Sequence, residues 1–176
     1  MIAARRGLAQ QGRGIEQTVA AQGYRITHLT EPGTLDGGDI LKIGSTVYAG
    51  LGGRTNDEGI RQLRKAFTPL GANVIAVPVS KVLHLKSAVT ALPDGTVIGY
   101  EPLVDDPNVF DSFRAVPEEA GAHVVLLGED RLLMAASAPK SAELFEELGY
   151  TPVVVGISEF EKLEGCVTCL SVRLRR

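Results

Sequence analysis

The sequence predicts an α/β fold assembled from a repeated strand–strand–helix–strand unit. Three observations carry that expectation. Helix-patterned segments are each followed by a glycine and a short apolar run, paired strand-like runs flank turn residues, and Gly23, Gly71 and Gly121 stand about 50 residues apart. A period of that length marks repeat architectures, in which each unit buries its apolar face against the next.

In chain order, Ile15 to Gln22 leads through Gly23 to the run Tyr24 to Leu29, and Glu58 to Leu70 leads through Gly71 to Val74 to Val79. Val109 to Ala120 leads through Gly121 to Val124 to Leu127, and Lys140 to Leu148 leads through Gly149 to Pro152 to Val155. Each glycine stands where a helix would end in the left-handed conformation that glycine adopts at little cost. In the second helix Ile60, Leu63, Phe67 and Leu70 recur at helical spacing and leave Arg61, Arg64 and Lys65 outside. Thr55 with Glu58 reads as its capping box. Asp106 before Pro107 starts the next helix, and Ser137 before Ala138-Pro139 the last.

Hairpins lie between the helices. Asp39 to Ile43 and Thr46 to Gly50 flank Gly44-Ser45, and Ala88 to Leu92 and Thr96 to Tyr100 flank Pro93-Asp94-Gly95. The strands are solidly apolar, which puts them inside with the helices outside. A radial array of about three to four such units is a propeller-like α/β fold, here an incomplete one, read as a single domain over residues 1–176.

Composition narrows the function. With 176 residues, 44% hydrophobic and 22% charged, the chain can bury roughly 70% of its unfolded surface. A net charge of -3 speaks against nucleic acid or an anionic membrane as partner, since both select basic patches. Apolar runs fall short of a membrane span, and the segment from Met1 to Arg6 lacks the continuous apolar stretch of a signal peptide. Two cysteines without a disulfide framework fit a reducing compartment, so the expected location is cytoplasmic.

The residues able to do chemistry are few. Cys166 and Cys169 lie in a Gly-Cys-Val-Thr-Cys-Leu-Ser run that reads as a strand. Their Cys-x-x-Cys spacing invites a redox reading, but a redox pair should open a helix, whose positive end favours thiolate. Two cysteines and three scattered histidines do not make a four-ligand metal site, and no cofactor is expected. His28 and His123 adjoin apolar strands and read as packing or surface residues, whereas His84 follows its strand by several residues. Asp36-Gly37-Gly38-Asp39 allows a tight turn or a close approach to a ligand. Arg54, at a helix start, makes a natural carboxylate site. Cysteine, imidazole and carboxylate together are the set needed for thiolate attack on an electrophilic carbon.

Taken in order, Leu35-Asp36-Gly37-Gly38-Asp39, Gly53-Arg54-Thr55-Asn56, His84-Leu85-Lys86-Ser87 and Gly165-Cys166-Val167-Thr168-Cys169-Leu170-Ser171 resemble the dimethylarginine dimethylaminohydrolases. The resemblance runs from about residue 15 to the C-terminus. That family belongs to the guanidino-modifying enzymes of the amidinotransferase superfamily, which share a pentein-type five-unit ββαβ propeller. The resemblance implies that Cys169 is the nucleophile, His84 the acid/base and Asp36 its acidic partner. It implies Arg54 for the substrate's α-carboxylate, Leu163 and Glu164 beside the substrate, and Arg5 or Arg6 as a further substrate-binding arginine. Arginine deiminases carry an aspartate two residues after the histidine, where this chain has Lys86, which favours methylated arginine as the small-molecule substrate.

Family members are longer, and the portion that carries the guanidinium-clamping acids has no counterpart in these residues. The expectation is therefore a propeller that is N-terminally truncated relative to the family, with the nucleophile intact and the substrate pocket half built. An open ring exposes strand edges, which favours a homo-oligomer. Two alternatives stay open: an arginine deiminase or related amidine hydrolase, and a non-catalytic interaction module.

Overall fold

The structure, a computed structural model, describes residues 16–171. Helix α1, over residues 16–21, precedes three units that share one plan. Each opens with an antiparallel hairpin, and after a crossover a third strand lies parallel to the second. In the first unit β1 (Ile40–Ile43) and β2 (Thr46–Leu51) form the hairpin, α2 (Asp57–Phe67) crosses over, and β3 (Asn73–Pro78) completes the sheet. A single turn of helix, α3 (Leu85–Ala88), leads into the second unit: β4 (Val89–Ala91), β5 (Val97–Gly99) and β6 (Phe113–Ala115). The third has β7 (Val125–Gly128), β8 (Arg131–Ala135), α4 (Pro139–Glu147) and β9 (Thr151–Val155), followed by α5 (Ser158–Glu161).

Burial explains why the units hold. Helix α2 turns Ile60 and Leu63 inward onto Leu35, Val47 and Val74 and leaves Arg61 exposed. The parallel register sets Val47 beside Val74, so the first sheet presents one apolar face to the helix. Between the first two units Tyr48, Val77, Leu85, Val89 and Phe110 form a second core, with the Tyr48 and Phe110 rings edge to face at 5.1 Å. Between the second and third lie Ile98, Leu132, Met134 and Phe145. Fully burying side chains of this size contributes about 1.5–3 kcal/mol each. The cores between units are what fix one sheet beside the next.

Several expectations change. No strand forms over 24–29. The segment Val109 to Ala120 is not a helix: the second crossover consists of 3-10 turns at Glu101–Leu103 and Pro107–Val109, followed directly by β6. Pro117 falls inside the segment, where its missing N–H and its ring oppose a helix, and Val97 N–H donates to the Ser112 carbonyl (2.9 Å), drawing the chain into the sheet instead. Val124 to Leu127 accordingly opens the third hairpin rather than closing the second unit. Gly23, Gly71 and Gly149 do stand at positive φ. Gly121 does not; it is buried where an added Cβ would overlap the Ser141 side chain, so its smallness serves a close approach.

Two helix starts differ as well. Asn56, not Thr55, caps α2, its Oδ1 accepting from Gly59 N–H at 2.8 Å. Ser137 does not cap α4; its hydroxyl donates to Glu161. The Glu118 carboxylate reaches across instead, accepting from Ser141 N–H (2.8 Å) and Ser141 Oγ–H (2.9 Å). A carboxylate there also meets the positive end of the helix. Finally, the cysteine run is no strand: residues 167–170 form a turn, closed by Leu170 N–H donating to the Cys166 carbonyl at 3.1 Å.

Candidate active site

The site is built outward from Asp39, which is 2% exposed. Its Oδ2 accepts from the Thr55 hydroxyl (2.6 Å) and its Oδ1 from Leu85 N–H (3.0 Å). The same Thr55 Oγ accepts from Asp36 N–H at 3.0 Å. One buried carboxylate therefore joins the 36–39 turn, the segment before α2, and the start of α3. Thr55 is wholly buried, and this duty is why its hydroxyl does not cap the helix. Buried polar groups need such partners, because an unpaired one costs about 1–3 kcal/mol.

Pinning Leu85 places His84, the residue before it. The imidazole packs closely against Gly38: a Cβ at that position would stand 2.6 Å from the His84 Cγ. His84 Nε2 is closed off from solvent and faces Asp36 Oδ1 at 3.4 Å, close enough for attraction yet out of line for a hydrogen bond. Asp36 itself accepts from Gly38 N–H at 3.0 Å, which holds its carboxylate toward the ring. From the far end of α3, the Ser87 carbonyl accepts from His123 Nε2–H at 3.0 Å. The short helix that carries His84 is thus tied at both ends.

Cys169 is exposed, and its Sγ lies 3.2 Å from the Sγ of the buried Cys166. Burial pushes the Cys166 thiol up, opposed by the Thr168 hydroxyl 3.0 Å away. Cys169, Cys166 and His84 line one open cavity of about 940 Å³, together with Leu163 and Glu164. Ligand pockets commonly occupy roughly 300–1,000 Å³. Leu163 is 83% exposed, and Glu164 has φ +58, a left-handed kink that turns the chain toward the cysteine loop.

The structure thus brings Cys169, His84, Leu163 and Glu164 to one cavity, with Asp36 behind His84 and outside the lining. Arg54 does not line the cavity; it is half-buried before α2 and makes no hydrogen bond or ion pair among the described residues. Arg5 and Arg6 lie outside the described residues. Sequence reasoning missed Glu118, Glu119 and Glu161, which also line the cavity, as does His123, which it read as a packing or surface residue and which is buried. Only the juxtaposition of the second and third units reveals them, since nothing in their local sequence sets them apart. Among the described residues no group of three or more His, Cys, Asp or Glu could hold a metal ion. No helix among them is long and apolar enough to cross a membrane.

Repeated three-stranded units around a cavity that holds a thiol and an imidazole define an α/β protein of the pentein-type propeller class. A family model described as arginine deiminase matches residues 18–139. A dimethylarginine dimethylaminohydrolase of Streptomyces coelicolor is 71% identical over 162 residues, 92% of this chain and 63% of that protein. That of Pseudomonas aeruginosa is 33% identical over 152 residues, 85% of this chain and 59% of that protein. The solved structure of the Pseudomonas enzyme, a cysteine-to-serine mutant complexed with citrulline, superposes with a TM-score of 0.85. It is 30% identical, over 98% of this chain and 70% of that one. The chain belongs to the arginine deiminase family and, within it, to the dimethylarginine dimethylaminohydrolases. It spans about three fifths of the length of the curated relatives it matches.

Two outcomes follow from this geometry. Asp39→Ala strands the Leu85 amide and the Thr55 hydroxyl, and it should lower stability by about 2–5 kcal/mol in urea unfolding; a change below about 0.5 kcal/mol, the usual range for a surface site, would contradict the network. Burial holds the His123 imidazole below its usual value, while the Ser87 carbonyl, Glu119 and Glu161 act the other way. The stability it lends is whole above the ordinary histidine value of about 6.5 and is lost as the pH falls from there through the depressed folded value. His123→Gln should flatten the fall of unfolding free energy between neutral and mildly acid pH, and an unchanged slope would contradict it.

Proposed function

We propose that the chain carries the thiol, imidazole and carboxylate part of a hydrolase site that converts N-omega-methylated arginines to citrulline and a methylamine. The observation that carries the reading is that the Cys169 thiol and the His84 imidazole line the same cavity. The Asp36 carboxylate 3.4 Å behind His84, and relatives named for the hydrolysis of dimethylarginine, support it.

A guanidinium carbon is a poor electrophile, because resonance spreads its charge over three nitrogens. Enclosing it beside Cys169 favours the thiolate, since each charge stabilises the other. The Cys169 sulfur attacks the carbon, and His84 protonates the departing dimethylamine as the C–N bond breaks. Asp36 stabilises the imidazolium before it gives up that proton. The thiouronium left on Cys169 takes up water, from which His84 removes a proton, and the C–S bond then breaks to release citrulline. Water and dimethylarginine are consumed, and citrulline and dimethylamine are formed. Glu118, Glu119, Glu161 and Glu164 give the cavity a negative lining that suits a cationic guanidinium. Leu163 and Glu164 would flank the substrate, Arg54 would bind its carboxylate, and Arg5 and Arg6 are further candidates for that contact. A cytoplasmic location completes the reading.

The test measures citrulline and dimethylamine from asymmetric dimethylarginine and from arginine side by side. Dimethylarginine should be the better substrate, Cys169→Ala should abolish turnover, and His84→Gln should lower it by about 10²–10⁴-fold. Equal or faster turnover of arginine would overturn the substrate assignment. Activity that survives Cys169→Ala would overturn the mechanism.

A further inference from the structure

The proposed mechanism uses one of the two cysteines and leaves the other idle against it. The Sγ atoms are 3.2 Å apart, already in contact, on a turn whose backbone hydrogen bond from Leu170 N–H to the Cys166 carbonyl draws positions 166 and 169 together. A disulfide bond is about 2.05 Å long, so the two sulfurs need to approach by about 1.2 Å. The two thiols also differ in access: Cys169 is exposed on the cavity, while Cys166 is buried, with the Thr168 hydroxyl 3.0 Å from its sulfur. An exposed thiol beside a shielded one is the arrangement in which the first meets an oxidant and the second resolves it. No helix opens at this pair, which argues against a disulfide oxidoreductase but not against a pair that closes on itself.

We propose that Cys166 and Cys169 form a modification site for hydroperoxides, with Cys169 oxidised first and Cys166 closing a reversible disulfide over it. The Cys169 sulfur attacks the peroxide oxygen; the O–O bond breaks, leaving a sulfenic acid and, from hydrogen peroxide, one water. The Cys166 sulfur then attacks the Cys169 sulfur as its proton leaves; the S–S bond forms, the S–O bond breaks, and a second water departs. Two thiols lose two electrons and one peroxide gains them. Burial pushes the Cys166 thiol up and shields it, so the exposed Cys169 is the thiol that meets the peroxide first. An external dithiol reverses the bond by exchange at the exposed Cys169 sulfur. The consequence for catalysis, withdrawal of the nucleophile, rests on the reading of Cys169 given above; formation of the bond does not.

The experiment treats the reduced, folded chain with equimolar hydrogen peroxide and takes its intact mass without reductant. The expected result is a loss of two hydrogens, a peptide joining Cys166 to Cys169, and full recovery with dithiothreitol. Cys166→Ala, given several equivalents of peroxide, should instead gain two or three oxygens at Cys169 that dithiothreitol does not remove. A wild-type chain that gains oxygens as fast as the variant, or that cross-links to a second copy, overturns the proposal. Citrulline formation followed in the same samples separates the two readings: a closed disulfide with undiminished turnover overturns the inactivation and Cys169 as nucleophile, while the modification site stands.

Discussion

The Asp39 carboxylate, buried at 2% exposure, accepts two hydrogen bonds from segments 16 and 46 residues away in the chain. Removing a charge from water is tolerated only where donors meet it. Here the donors are the Thr55 hydroxyl and the Leu85 amide, and together they set the three segments that carry Arg54, Asp36 and His84. Gly50 leaves the room for this, since a Cβ there would press on both Asp39 Oδ1 and Leu85 Cβ. The position of His84 is thus a consequence of buried polar satisfaction in the first unit, and the attraction to Asp36 comes after it.

The second constraint is the packing of units side by side. Tyr48, Leu85, Val89 and Phe110 lock the first unit to the second, and Ile98, Leu132 and Phe145 lock the second to the third. Because Cys169 follows α5, at the end of the third unit, its approach to His84 between the first and second depends on both cores. A destabilised core would therefore change the site without touching any residue in it. The proposed chemistry has that dependence, while the proposed Cys166–Cys169 bond needs only the turn that carries both thiols.

Much of this was legible in the sequence. The repeated unit was, because hairpin turns and an amphipathic α2 leave local periodic traces. Cys169, His84 and Asp36 were singled out through their motifs, and the structure puts Cys169 and His84 on one cavity with Asp36 3.4 Å from His84. The second crossover was not legible, because its apolar spacing mimics a helix that Pro117 interrupts and that the pairing of β6 with β5 replaces. Thr55 was misread as a cap for a comparable reason: a hydroxyl beside a helix start satisfies the local pattern, and only the buried Asp39 competes for it. Cys166 and Cys169 read as strand because Val167 and Leu170 are apolar, while the turn there is closed by Leu170 N–H donating to the Cys166 carbonyl and the Ser171 hydroxyl to the Val167 carbonyl. The acidic lining from Glu118, Glu119 and Glu161 arises from two units meeting, which no local window contains.

The central claim is that sulfur and imidazole act on one substrate in the cavity they share. It is tested most directly by treating the folded chain with a small haloamidine electrophile and mapping the adduct by mass. A single adduct on Cys169, slowed when His84 is replaced by glutamine and blocked by excess substrate, is the predicted result. Adducts on Cys166, or labelling of Cys169 at the rate of a free thiol and indifferent to His84, would contradict the account.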